Sequence, residues 1–334
     1  MCSFDIEIGG RDNVFQVQAV NLGSHRLSRH YYAALLIFLI CLSVQRLPGN
    51  TFRPLSAATL QQASVDLKGD STLLETGEYA HFSPNVPTPV AIKLVCYNIR
   101  WQHGEGLRRL IALLRDDKEM GAGQIIALQE VDRRKKRSGY VNTARLIAQE
   151  LALNYAWAAA PSPSTKSSEK EQREEATGIA IFSPYPMTEV ERIELPYGGP
   201  GGRRRVALAA TIRIGEHNVR AYCVHAERRL SFDQHMEQLE TVLDALARRS
   251  SKENVVVMGD FNTAKKKDVH ECIELFTARG FTTPLPYNRP TWKTLVLQFK
   301  LDWIWLRGLQ GTDYSIVRRV TLSDHFPVLV TVKF

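Results

Sequence analysis

Four apolar runs in this chain stop abruptly at a polar side chain, and this limits the folds open to it. They are YNIRW at Asn98, LQEVD at Glu130, GDFN at Asp260 and Asn262, and SDHFPV at Asp324 and His325. A short apolar run bounded by turn residues has the pattern of a strand buried on both faces. The end of such a strand delivers a polar group to the end of a sheet. Four ends carrying carboxylates, amides and an imidazole point to a site that holds a hard divalent cation beside a phosphate.

The chain has 334 residues, of which 44% are hydrophobic and 23% charged, enough for a large core and too balanced for global disorder. A net charge of +8 favours anionic partners: nucleic acid, phospholipid headgroups or phosphorylated metabolites. The five cysteines show no CxxC spacing, which argues against a structural zinc site. Cys96 and Cys223 fall in predicted strands, as buried free thiols do.

Residues 1–30 read as an N-terminal leader and residues 31–44, YYAALLIFLICLSV, as a short apolar signal or anchor segment. Fourteen residues are fewer than the roughly 20 that a span needs. Arg26, Arg29 and His30 supply the positive flank. This predicts an exported or membrane-anchored protein with membrane contact through 31–44, and initiation near Val20 or Leu22. If the run is instead a buried helix, the protein is cytoplasmic. Residues 45–90 read as a linker, and a catalytic domain is expected over 91–334.

Within that domain, strands are predicted at 93–99, 124–130, 155–160, 177–183, 187–195, 206–214, 219–225, 254–261, 301–306, 314–321 and 326–333. Helices are predicted at 106–117, 142–153 (N-capped by Asn142), 232–249 and 268–279. Residues 161–176 form a polar loop. Helices interleave with strands in both halves, which implies mixed sheets packed face to face with helices outside.

The order Asn98, Glu130, His225, Asp260-x-Asn262, Asp302 and Asp324-His325 resembles the endonuclease/exonuclease/phosphatase superfamily, the deoxyribonuclease I-like proteins. The strings TGIAIFSPYPM, PTW at Thr291–Trp292 and LDWIW around Asp302 are similar to it too, over roughly residues 92–334. The resemblance implies a four-layer α/β sandwich, two packed mixed β-sheets flanked by helices. It also implies a divalent-metal-dependent phosphoesterase that uses Mg²⁺, with Mn²⁺ as the alternative.

In that reading Glu130 is the direct metal ligand, supported by Asn98 and Asp324. Asp260 orients or deprotonates the attacking water or binds a second cation, and Asn262 holds Asp260 and a phosphoryl oxygen. His325 stabilises the transition state from a nonbridging oxygen, with Asp302 orienting and charging it. His225 helps from the opposite side. Ser323 is expected to be structural, and His103, His217, His235 and His270 structural or on the surface. No arrangement for a serine or cysteine nucleophile is present.

Three basic loops, RRKKR (133–137), GGRRR (201–205) and KKK (265–267), offer Arg133, Arg134, Arg203, Arg204 and Lys265 as contacts for a phosphorylated substrate. Such contacts suit a nuclease-type phosphodiesterase acting on nucleic acid. The apolar stretch TWKTLVLQF (291–299) allows a phospholipid or inositol-phosphate hydrolase of sphingomyelinase type instead. A noncatalytic binding module is the remaining alternative.

Overall fold

The computed structural model describes residues 73–81, 88–161, 175–248 and 253–334. The leader 1–30, the run 31–44, Cys2, Cys41, and most of both the linker 45–90 and the loop 161–176 lie outside the described residues. No helix among the described residues is long and apolar enough to cross a membrane.

The first sheet holds seven strands. They are β1 (Leu74–Gly77), β2 (Ala91–Asn98), β3 (Ile125–Arg133), β4 (Asn154–Ala158), β5 (Ala176–Ser183), β13 (Gln310–Ile316) and β14 (Val328–Lys333), in the order β1-β4-β5-β3-β2-β14-β13. The second holds β6 (Met187–Glu194), β7 (Val206–Ile214), β8 (His217–His225), β9 (Asn254–Asp260) and β12 (Asp302–Arg307), in the order β12-β9-β8-β7-β6. A two-stranded hairpin, β10 (Trp292–Lys293) with β11 (Gln298–Phe299), stands apart. Helices α1 (Gly104–Asp116) and α2 (Thr143–Leu151) cover the first sheet, and α3 (Phe232–Ala247) and α4 (Lys266–Ala278) the second.

Residue alternation shows why the strands read as unbroken apolar runs. In β2, Ile92, Leu94 and Cys96 join the core between the two sheets, together with Leu208, Ala221, Met258 and Ile304 from the second. Val95 and Tyr97 point the other way, onto Leu110, Ile111 and Leu114 of α1. The central strands of each sheet are dry on both faces, so their polar groups can reach water only at the strand ends. The layer order α/β/β/α follows from these packing faces.

Each sheet contains one parallel pair, which needs a crossover between its strands. β2 and β3 are joined through α1, and β8 and β9 through α3. Asn142 caps α2 by accepting from Arg145 N at 3.1 Å. Ser231 and Gln234 form a capping box on α3. Register then sets Asn98 beside Gln129, and His225 beside Asp260. Asp302, first residue of antiparallel β12, also pairs with Asp260. In GDFN, Gly259 runs against β8 so closely that a Cβ would collide with Val224 O.

Two sequence expectations fail here. The linker reading of 45–90 breaks down within its last part, because β1 pairs with β4 at the edge of the first sheet. Arg133 is not a substrate contact: it is buried, with its guanidinium 4.2 Å from the Trp157 ring centre and 3.3 Å from Glu75 Oε2. Glu75 also receives Asn142 Nδ2 at 2.8 Å, Arg145 Nη2 at 3.0 Å and the Tyr155 hydroxyl. Burial opposes its charge, yet the Tyr155 hydroxyl and the two arginines hold the Glu75 carboxyl below its ordinary range. A depressed folded-state value stabilises above the unfolded pKa of about 4.3, and that stability is lost as pH falls through the folded value. Glu75→Ala, which removes the buried carboxylate shared by Arg133, Arg145 and Asn142, should destabilise the protein by about 3–5 kcal/mol in urea unfolding at pH 7. A drop in stability under about 1 kcal/mol would mean that the cluster does not hold β1.

Candidate active site

The ends of β2, β3, β8 and β9 and the start of β12 meet at one rim of the sandwich, where ligands bind in open α/β sheets. A cleft of about 710 Å³ opens there, lined by Glu130, His225, Asp260, Asn262, Asp324 and His325 together with many basic side chains. Asn98 and Asp302 lie beneath its floor, 1% and 0% exposed.

Asp260 Oδ2 sits at the centre. Asn98 Nδ2 donates to it at 3.0 Å, and His225 Nε2 and His325 Nε2 stand 3.5 and 3.6 Å away. Asp260 Oδ1 accepts from Asn262 N at 3.0 Å, and Asn262 Nδ2 donates to Ala226 O at 2.9 Å. Asn262 thus holds a left-handed backbone, φ 54°, while pinning the turn that presents Asp260. Burial pushes the Asp260 carboxyl up, with Asp302 adding to the rise and His325 restraining it.

His325 is set from two sides. Asp302 Oδ2 lies 2.9 Å from its Nδ1, and Trp292 bridges its backbone. Asp302 is itself fixed, because Thr291 Oγ1 accepts from the amides of both Leu301 and Asp302. Burial alone would lower His325, but the carboxylates of Asp302 and Asp260 outweigh it and raise the imidazole to about 9. The two carboxylates thus favour the protonated imidazole. Asp260, Asp302 and His325 are also grouped closely enough to suggest metal ligands, within 4.8 Å of one another. The 2.9 Å contact between Asp302 and His325 also links them as an ion pair.

His225 is opposite in character. Burial, then the charges of Arg205, His325 and Arg203, drive its pKa well below the ordinary range. Its Nδ1 faces Arg205 Nη1 at 3.1 Å. A guanidinium only donates, so Nδ1 accepts and the proton rests on Nε2, toward Asp260.

Glu130 interrupts the β3–β5 ladder: the register shifts between Gln129 and Val131, and Glu130 has φ 58°. This bulge takes the side chain out of strand alternation and turns it into the cleft. Its carboxylate accepts a long hydrogen bond from Asn98 Nδ2 at 3.5 Å. Asn98 turns its amide nitrogen to both carboxylates, while its oxygen accepts from Arg100 N at 3.1 Å. One of the two lone pairs of that oxygen is thus taken by the backbone. Asp324 pairs with Arg100 at 3.3 Å, in a half-exposed contact of little strength.

Of the basic residues read from sequence, Arg203 and Arg204 line the cleft, whereas Arg134 and Lys265 do not. Lys265 stands at the N-cap position of α4, its backbone N donating to Asp268 Oδ2 at 3.0 Å. Sequence reading missed Glu227, fully buried, which grips Arg203 Nε at 3.0 Å and Arg205 Nε at 3.1 Å. Its spacing two residues after His225 was the one local signal. It also missed Arg228, which lines the cleft, and buried Lys300, which donates to Asp302 O at 2.6 Å. Ser323 accepts from His325 N, His235 binds Phe261 O and His217 stacks on Phe334. Cys96 and Cys223 are buried free thiols.

The model of the endonuclease/exonuclease/phosphatase family matches residues 95–325, and the chain belongs to that family. No curated protein matches it by sequence. Similar solved structures include an endonuclease/exonuclease/phosphatase from Beutenbergia cavernae DSM 12333, at 18% identity over 74% of this chain and 72% of that one, TM-score 0.57. The TDP2 of D. rerio, complexed with a single-strand DNA product, shares 16% identity over 74% and 100%, TM-score 0.56. The mannosyl-6-phosphatase of Bacteroides thetaiotaomicron VPI-5482 shares 15% over 73% and 100%, TM-score 0.54. At these identities the structures establish the fold, a deoxyribonuclease I-like sandwich of two mixed sheets. Members of the family are hydrolases of phosphoester bonds and generally depend on a divalent metal.

Replacing Asp302 with Asn removes the charge that raises His325. The His325 ring resonances should then titrate at lower pH, near or below the ordinary value of about 6.5 in an NMR titration. An unmoved midpoint would show that Asp302 does not set the imidazole's charge.

Proposed function

We propose that this protein is a divalent-metal-dependent phosphodiesterase of nuclease type, acting on a polyanionic substrate. The observation that carries the reading is the Asp260–His325–Asp302 relay at the floor of a cleft rimmed with arginines. Lys135, Arg137, Arg203, Arg204, Arg205 and Arg228 line that cleft. Arg137 and Arg203 are bound to acids, whereas Arg204 and Arg228 have no acidic partner among the described residues. Two uncompensated guanidiniums beside one phosphoryl position suit neighbouring phosphates on the same chain.

Glu130 fits a hard cation: it is a carboxylate turned into the cleft with no close donor of its own. Asp324 can join it by exchanging its weak contact with Arg100. Mg²⁺ is the ion we favour, with Mn²⁺ as the alternative; when bound it would neutralise charge on the phosphoester. Asp260, whose carboxyl is raised by burial, receives the proton of the attacking water and is aimed by Asn98 and Asn262. His325, charged and held by Asp302, donates from Nε2 to a nonbridging oxygen as charge builds there. His225 donates its Nε2 proton toward Asp260 and keeps that carboxylate from turning. The sequence of residues 31–44 supports work outside the cytoplasm or at a membrane.

A second reading, hydrolysis of a phospholipid or inositol phosphate, is favoured by the exposed apolar residues Leu295, Val296 and Leu297 beside the cleft. Assays of the full chain on plasmid DNA, sphingomyelin and a chromogenic phosphodiester separate the two. EDTA should abolish turnover. Asp260→Asn and His325→Ala should each lower kcat about 10²–10³-fold with little change in KM. Glu130→Ala should be partly rescued by excess Mg²⁺. Absence of turnover on every substrate, with wild type and Asp260→Ala binding DNA equally, would favour a binding module.

Replacing both Arg204 and Arg228 with Ala should raise KM for DNA far more than for the small diester. It should also flatten the log–log salt dependence of DNA binding, by a slope of roughly 0.7–0.9 for each phosphate that an arginine no longer neutralises. An equal KM rise on both substrates would place these arginines on the scissile phosphate instead.

A further inference from the structure

The hairpin of β10 and β11 is closed by Thr294 N donating to Leu297 O at 2.8 Å. Its tip is Leu295-Val296-Leu297, and these side chains are 83%, 86% and 49% exposed. Among the described residues no other exposed large apolar side chains are consecutive. Turns are normally made of Gly, Asn, Asp, Pro and Ser, each for a local backbone reason. Leu-Val-Leu has no such reason here. Nor do these side chains contribute to a core, since they belong to none of the three apolar clusters.

The charge around the tip is one-sided. From Leu275 to Leu301 the chain contains no Asp or Glu. Arg289 and Lys293 are exposed at the hairpin base, and Arg318 reaches it by donating to Pro290 O at 3.0 Å. Lys293 and Arg318 lie on Phe326, each 5.2 Å from its ring centre. None of the three has an acidic partner among the described residues. An apolar point with a basic collar is the distribution that lets a surface element enter a bilayer interface, alkyl groups in the acyl boundary and cations at the phosphates.

We propose that the Trp292–Phe299 hairpin is a docking element for an anionic lipid surface. Its stem belongs to the site: Trp292 stacks on Phe299 at 5.4 Å, both line the cleft, and Lys293 N donates to Asp324 O at 3.0 Å. A lipid surface engaged by the tip therefore stands beside the cleft, and the enzyme works within reach of a bilayer whichever phosphoester it cuts. The proposal does not rest on the nuclease reading.

The test is hydrogen exchange on the full chain, with and without vesicles of phosphatidylcholine containing about 30% phosphatidylserine, an anionic surface. Exchange localised to 294–298 reads the hairpin whether or not another segment also binds the vesicles. Amides of 294–298 should slow roughly tenfold with vesicles. The double variant Leu295→Ser, Val296→Ser should lose that protection, while its melting temperature and its turnover of a soluble diester stay as in wild type. Arg289→Glu with Lys293→Glu should lose most of it. Unchanged exchange at 294–298 on vesicle-bound protein would overturn the proposal. So would protection that exists without lipid and rises with protein concentration, which indicates a second copy, or protection given by DNA instead.

Discussion

One buried carboxylate oxygen, Asp260 Oδ2, ties the two sheets of this protein together at their working end. Asn98 reaches it from the first sheet at 3.0 Å, and His225 stands beside it in the second. His325 closes the group after β12 has set Asp302 behind it. An ionised carboxylate taken out of water is costly unless donors and opposite charge surround it. The site therefore holds only if both sheets are in register at once. The same burial that makes Asp260 expensive raises its carboxyl's affinity for a proton, so the cost of the fold and the electrostatics of the site have one origin.

Four of the ten non-glycine residues with positive φ among the described residues lie around that point. Arg100, Trp101, Glu130 and Asn262 all have positive φ, and all four line the cleft. None is glycine, so each carries a conformational cost that neighbouring contacts must offset. At Glu130 the return is plain: without the bulge the residue would follow strand alternation into one of two dry faces. The surrounding arginines are held similarly, with Glu227 fixing Arg203 and Arg205 from beneath.

Much of this was legible in the sequence because the central strands are dry on both faces. Strands such as β2 and β9 appear as apolar runs, and a polar residue ending such a run has only the rim to go to. Asp260 and His325 were visible for that reason, whereas Asp302 came from the family resemblance and Asn142 from its place before a helical pattern. Arg133 was not. It opens a run of five basic residues that reads as a solvated loop, yet its guanidinium lies against Trp157 and meets Glu75, a partner 58 positions away. β1 was also missed, since four residues with one buried carboxylate show no periodicity. Glu227 was hidden in the string HAERR, where its charge seemed to need no burial.

By itself the sequence determined the alternation of strands and helices, the dry faces, and which polar residues stand at strand ends, since each depends on side-chain pattern over a few neighbouring positions. Only the tertiary structure decided which ends meet, which amide atom Asn98 turns to Asp260, that carboxylates surround His325 while Arg205 faces His225, and which arginines reach the cleft. Those outcomes depend on burial and on charges brought near from distant parts of the chain, and neither quantity exists until the sheets have packed.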